Sequence, residues 1–225
     1  MVSKKLMGVW AFLDVALLAG GAFALAMSLI WRAPDMLRHL VLTDSYLNAG
    51  LAVGISMVLT FFISIGGIVQ KNHVTIGLVI LNYCLVAEAI IVLVIGTFLW
   101  YFSLQERANF HEIWAAQTSD TRIKLQDTLN CCGYFNGTDL AEIGGSHCAS
   151  QSFVDGLNVT DESNFCVSKM TSYGDNILLN VFTTIYGFMA IVLCLLLATI
   201  CVIKKRDEDE RFKKIDAKRG GKGFV

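Results

Sequence analysis

The chain has 225 residues, of which 55% are hydrophobic and 16% charged, with a single proline and a formal net charge of −1. A balance so apolar excludes an ordinary water-soluble domain and a disordered chain, and it points to a membrane protein.

A hydrocarbon core about 30 Å thick takes roughly 20 apolar residues in helical form. Residues 1–7 carry Lys4 and Lys5, and residues 8–31 form the first stretch of that length. Lys4, Lys5 and the triplet Ala22-Phe23-Ala24 imitate a secretory signal. Apolar residues nevertheless continue to Trp31, and Asp14 sits badly in a signal core, so the stretch is read as a span. Residues 32–49 make a small loop, 50–70 a second span, 71–73 a tight inner turn around Lys71-Asn72-His73, and 74–102 a third span. A large polar segment follows at 103–176, then a fourth span at 177–203 and a charged tail at 204–225. All the runs are apolar on every face rather than in alternation, which favours spanning helices over a barrel. The expected fold class is an all-α membrane protein: four transmembrane helices, with a small, mainly helical, disulfide-bonded extracellular domain between helices 3 and 4.

Asp14, Asn82 and Glu88 are polar residues set within the spans, and no Lys or Arg lies there to pair with them. An acidic group at the bilayer centre costs on the order of 3 kcal/mol on insertion scales, so each carboxyl is expected to be protonated and to donate a hydrogen bond to a neighbouring helix. Three uses compete: interhelical hydrogen bonding, a polar cavity holding a sterol or lipid, and a proton or ion pathway. A pathway should show more ionisable positions than these.

Small residues supply the close backbone approach that helices need in lipid. Asp14, Gly21 and Ser28 recur every seven residues in the first span, while Gly50 and Gly54 open a stripe continued by Met57, Phe61 and Ser64 in the second. These two faces are expected to meet.

Lysine and arginine mark the two sides of the membrane. With both termini cytoplasmic, the inner segments hold twelve of these residues and the outer ones six, and Lys204-Lys205-Arg206 directly after the fourth span is the clearest part of the bias. Segment 103–176 then faces an oxidising compartment. It contains Cys131, Cys132, Cys148 and Cys166, an even number as a disulfide framework requires, whereas Cys84, Cys194 and Cys201 lie in spans. Both N-glycosylation sequons, Asn136-Gly137-Thr138 and Asn158-Val159-Thr160, fall in the same segment. Adjacent Cys131 and Cys132 would join each other only through a strained ring, so each should reach a separate partner.

Gly133 is expected to supply a backbone conformation or an approach that a side chain would obstruct. Phe110, Ile113, Trp114 and Gln117 keep helical spacing, so 103–117 reads as a continuation of the third span, followed by a capped helix from Ser119. A last helix should start near Ser168 and run into the fourth span. Residues 134–165 have no sustained period and read as the partner-facing loop. In the tail, alternating charge predicts a solvated, disordered segment whose Lys204-Lys205-Arg206 meets anionic lipid heads. Cys201 is a palmitoylation candidate, and terminal Phe224-Val225 is a candidate ligand for a carboxylate-binding module.

Four spans, a small loop before a large one, and Cys131-Cys132-Gly133 followed by Cys148 and Cys166 resemble the tetraspanin family across nearly the whole chain. Asp14, Glu88 and Gly20-Gly21 stand where that family has comparable residues. The resemblance implies the pairings Cys131–Cys166 and Cys132–Cys148. It also implies a non-enzymatic organiser that binds other integral membrane proteins and membrane lipids laterally, as a homo- or hetero-oligomer, with no cofactor beyond a bound sterol or lipid. The sequence departs from the family pattern at Gly145-Ser146-His147-Cys148, which lacks the expected proline and so predicts a looser turn. A four-cysteine loop, an inner turn without cysteine and a fourth span without Glu or Gln look most like the fungal branch, tied to polarised growth and host penetration.

Zinc would want paired cysteine spacings, and a thiol oxidoreductase would want C-x-x-C, which the chain lacks. His39, His73, His111 and His147 are scattered over different loops, and no phosphate-binding loop or nucleophile elbow is present, so no catalytic group is expected. Segment 103–176 carries ten acidic and four basic residues, which argues against nucleic acid. The alternatives are a four-span transporter or channel, and a junctional adhesion protein. The expected location is the plasma membrane or an endomembrane.

Overall fold

The computed structural model describes residues 3–70 and 75–219; the inner turn at 71–73 and Phe224-Val225 lie outside the described residues. In chain order the helices are α1 (Lys4–Ile30), α2 (Met36–Val41), α3 (Asp44–Val69), α4 (Ile76–Leu104), α5 (Glu106–Ala115), α6 (Ser119–Leu129), α7 (Gln151–Asp155) and α8 (Cys166–Lys218), with a 3-10 turn at Glu162–Asn164 before α8. No strand occurs among the described residues. Four of the helices, α1, α3, α4 and α8, are long and apolar enough to cross a membrane, which makes this a multi-pass membrane protein.

The chain divides into two compact units: residues 1–30, 47–95 and 184–225, and residues 31–46 and 96–183. In the first, parts of α1, α3, α4 and α8 surround a core of Leu17, Met57, Leu81, Leu85, Val192 and Leu195, all fully buried. Only about a third of the most apolar stretch of each of these helices is buried, between 28% and 33%, and large apolar side chains such as Phe12 and Tyr83 lie more than 70% exposed. A surface so apolar has no place in water and is suited to lipid.

Close packing in this unit rests on glycine. A Cβ on Gly21 would stand 3.0 Å from Met57 Cβ and 3.1 Å from the Gly54 carbonyl oxygen, and one on Gly54 would stand 2.8 Å from Leu25 Cγ. At the end of α3 the backbone of Gly67 meets that of Gly77, where a Cβ on Gly77 would lie 2.8 Å from Gly67 Cα. Gln70 closes the connection, its Oε1 accepting from the Gly77 N–H at 3.1 Å. Buried Arg206 adds a cap, with Nη2 donating to the Ile68 carbonyl at 3.1 Å, one of the carbonyls a helix end leaves unpaired.

In the second unit, the stretch read as a small loop contains a helix. Asp35 caps α2, its Oδ1 accepting from the Arg38 N–H at 3.2 Å, and α2 packs on α5. The third span does not continue unbroken: α4 ends at Leu104, and Gln105, at φ −121° and ψ 28°, breaks the helix before α5. Thr118 caps α6, and α8 begins at Cys166 and runs 53 residues without interruption. The tail read as disordered is helical to Lys218. Its residues are good helix formers, Lys205 reaches Glu208 at 2.7 Å and Asp209 at 3.8 Å along one face, and no breaker precedes Gly220.

Candidate functional site

Each unit holds a group of polar residues that apolar packing alone would not place. In the four-helix unit, Asp14 is only 4% exposed and its Oδ1 lies 2.5 Å from Ser64 Oγ. Seven residues further along α1, Gly21 meets Met57; seven further still, Ser28 reaches Gly50, whose Cβ would lie 2.6 Å from the serine hydroxyl. Each step of seven along α1 thus matches a step of seven back along α3, so the two stripes form an antiparallel seam.

Glu88 of α4 takes a different partner on α3, Ser56 Oγ at 2.8 Å from its Oε1. Ser56 and Ser64 stand eight residues apart, so the two polar layers lie about 12 Å apart along the helix. Both serines also contact their own helix: Ser64 Oγ lies 2.7 Å from the Phe61 carbonyl and Ser56 Oγ 2.9 Å from that of Val53. A hydroxyl has one proton and cannot donate to both neighbours. With that proton on the carbonyl, each contact is complete when the carboxyl donates to the serine oxygen. A third tie joins α1 to α8, where Trp10 Nε1 donates to Thr199 Oγ1 at 3.0 Å. Asn82 is partly buried, and its Oδ1 is enclosed without a hydrogen-bond partner.

The second unit is built around Cys131-Cys132-Gly133-Tyr134. Cys131 is bonded to Cys166 and Cys132 to Cys148, closing loops of 35 and 16 residues in sequence separation. All four cysteines are buried, as is Tyr134. Gly133 adopts φ +70°, and a Cβ there would run into the Asn136 carbonyl oxygen, so no other residue fits without strain. The backbone on either side is tied to the start of α8: Cys166 N–H donates to the Gly133 carbonyl at 2.9 Å and Val167 N–H to that of Tyr134 at 3.1 Å. Tyr134 then donates its hydroxyl to the Arg107 carbonyl at 2.8 Å.

The proline-free turn before Cys148 is secured by α6. Asp127 Oδ1 accepts from the His147 N–H at 2.9 Å, and backbone donors of His147 and Ser146 hold its carboxyl below the usual range. A Cβ on Gly145 would stand 2.5 Å from that carboxylate and would push it aside. The residue before Asp127, buried Gln126, pins the facing segment: its Oε1 accepts from the Glu142 N–H at 2.9 Å and its Nε2 donates to the Glu142 carbonyl at 3.1 Å. Arg122 adds an ion pair to Glu142 at 2.6 Å. These three residues of α6 carry no motif, and sequence reading passed over them.

Near the start of α5, Glu106 has an enclosed Oε2 without a partner. Burial pushes its carboxyl up to about 7, helped by hydrogen bonding to Asp175 and by that residue's charge, while Arg107 acts in the opposite direction. Of the sequon asparagines, Asn158 is exposed and Asn136 half-buried; each accepts from the Thr two residues on, Thr160 and Thr138, with hydroxyl distances of 2.7 Å. Cys201 is a free, exposed thiol. No cluster of side chains able to hold a metal ion occurs among the described residues. No family model, curated protein or solved structure matches the chain.

Proposed function

We propose that the protein is a non-enzymatic, tetraspanin-like organiser that gathers other integral membrane proteins and lipids around itself. One observation carries this reading: the segment between the third and fourth membrane helices is folded on two nested disulfides that diverge from one Cys-Cys-Gly. A covalently stapled unit in a chain whose membrane helices leave most of their apolar surface uncovered has the parts needed for lateral recognition: a stapled loop and lipid-accessible flanks.

In this proposal both termini are cytoplasmic and 103–176 lies outside, glycosylated at Asn136 and Asn158, of which exposed Asn158 is the better acceptor. Residues 134–165 select the partner, and Cys201 takes an acyl chain. Asp14 and Glu88 serve interhelical bonding, with a sterol or lipid as the added occupant of the polar layers. The lineage is the fungal branch, with a role in polarised growth or host penetration.

Crosslinking in native membranes followed by identification of co-purified proteins tests it, with one stoichiometric membrane partner expected. Sustained ion or solute flux through the purified protein in liposomes would replace the organiser with a transporter or channel.

A further inference from the structure

The ends of α1 and α8 flank an open, shallow groove that the organiser reading leaves unassigned. Its apolar part, a volume of about 810 Å³ open to the surroundings, is lined on α1 by Val9, Phe12 and Leu13 and on α8 by Cys194, Leu197 and Cys201. Lys5 lines this part and Lys204 an adjoining one that shares Leu6 and Cys201 with it; both lysines are exposed and neither is in an ion pair among the described residues, whereas Lys205 is engaged by Glu208 at 2.7 Å. The lining of this trough runs about 12 Å along α1, from Lys5 to Leu13, and about 15 Å along α8, from Cys194 to Lys204. A partner's spanning helix would need a groove matching the bilayer core of about 30 Å, so the trough is too short to be its seat. An apolar channel with free cations at one end, set where an apolar helix turns into a charged one, fits an acyl chain below an anionic head.

We propose that this groove seats one anionic phospholipid, with its phosphate between Lys5 and Lys204 and an acyl chain against Phe12 and Leu197. Each lysine near a membrane surface contributes about 1 kcal/mol toward an anionic lipid. Two of them, partly screened, give a preference on the order of tenfold over a zwitterionic lipid. The site deepens the lateral-binding reading by naming its lipid.

The full chain in phosphatidylcholine nanodiscs, probed with spin-labelled phosphatidylserine or phosphatidylcholine, measures that preference directly. About tenfold favouring phosphatidylserine is expected for the wild type, falling to near equality in Lys5→Gln/Lys204→Gln. Val9→Trp, which fills the trough from an exposed position, should lower it with both lysines intact. Lys213→Gln/Lys214→Gln, outside the groove, should leave it unchanged, and unaltered helicity and disulfides establish that each variant is folded. Equal binding of the two lipids, or an equal loss in the Lys213/Lys214 variant, overturns the site in favour of none or of diffuse attraction. Cys201→Ser, which removes the acyl chain proposed above from the groove wall, should keep the preference; its loss in that variant overturns the site in favour of the covalent chain as occupant. Loss of the preference with co-purified proteins unchanged sinks the lipid site alone; loss of those proteins with the preference intact sinks the organiser reading alone.

Discussion

The four-helix unit and the stapled unit solve the same problem with opposite means. In the first, most backbone hydrogen bonds are satisfied within long helices, so stability between helices depends on how closely they approach. Gly21, Gly50 and Gly54 set that distance, and the serine layers at Ser56 and Ser64 fix the register. In the second, helices are short and turns many, and the chain is held by covalent closure plus side chains that bond distant backbone. The difference teaches where each unit is fragile: one to added volume, the other to a lost tie.

The largest effect is expected from removing a disulfide. Cys131→Ser/Cys166→Ser reopens the longer loop, 35 residues in separation, and should cost about 4 kcal/mol; Cys132→Ser/Cys148→Ser, at 16, about 3 kcal/mol. Limited proteolysis should then cut within 130–165 while far-UV circular dichroism of the membrane helices stays near the wild type. Collapse of both units together would break the contrast.

Added volume comes next. Gly54→Val drives a side chain into Leu25 and the Gly21 backbone and should cost about 1–3 kcal/mol in micelle unfolding, with both disulfides retained. Its counterpart in the stapled unit is Gly133→Ala, which forces a left-handed conformation costing about 1–2 kcal/mol before the collision with Asn136 is counted. Each should leave the other unit's unfolding unchanged.

A smaller effect is tied to acidity and is confined to the stapled unit. Glu106 has an ordinary value of 4.5 and titrates near 7 in the fold. Between those values the folded form keeps a proton that the unfolded chain releases, so stability should fall as pH rises from about 4.5 to 7 and then level off. Thermal unfolding followed across that window in wild type and Glu106→Gln checks this; the variant should lose that part of the dependence. Smallest of all, Asp14→Asn and Glu88→Gln should each change the stability of the four-helix unit by less than about 1 kcal/mol, because a carboxamide offers the serine both an acceptor oxygen and an N–H donor in place of a protonated carboxyl. Unfolding of either variant would mean that the charged form is the one the bundle needs.

The features legible in the sequence are those with a period or a fixed spacing. The seven-residue stripe on α1 and its counterpart on α3 could be read because small residues at regular intervals leave a trace, and Ser64 was part of that trace. Ser56 was not, since nothing local tells which serine a carboxyl on another helix will reach. Gln126 and Asp127 were illegible for the same reason: their bonds to Glu142 and His147 span 16 and 20 residues. Helix α2, six residues long, is too short to show a period, although Pro34-Asp35 before it is a helix-start signal. The helical tail was misread because its alternating charges suit both a solvated coil and a helix laced by ion pairs at three and four residues' spacing.

The single proton on each layer serine has an electrical consequence. If both carboxyls complete those contacts as donors, Asp14 and Glu88 are neutral, and no lysine or arginine stands between them in the spans. A fixed charge moved through the whole field would feel about 2.3 kcal/mol for every 100 mV, and this bundle offers the field nothing to grip. Its conformation should therefore be indifferent to the voltage across the membrane in which it sits.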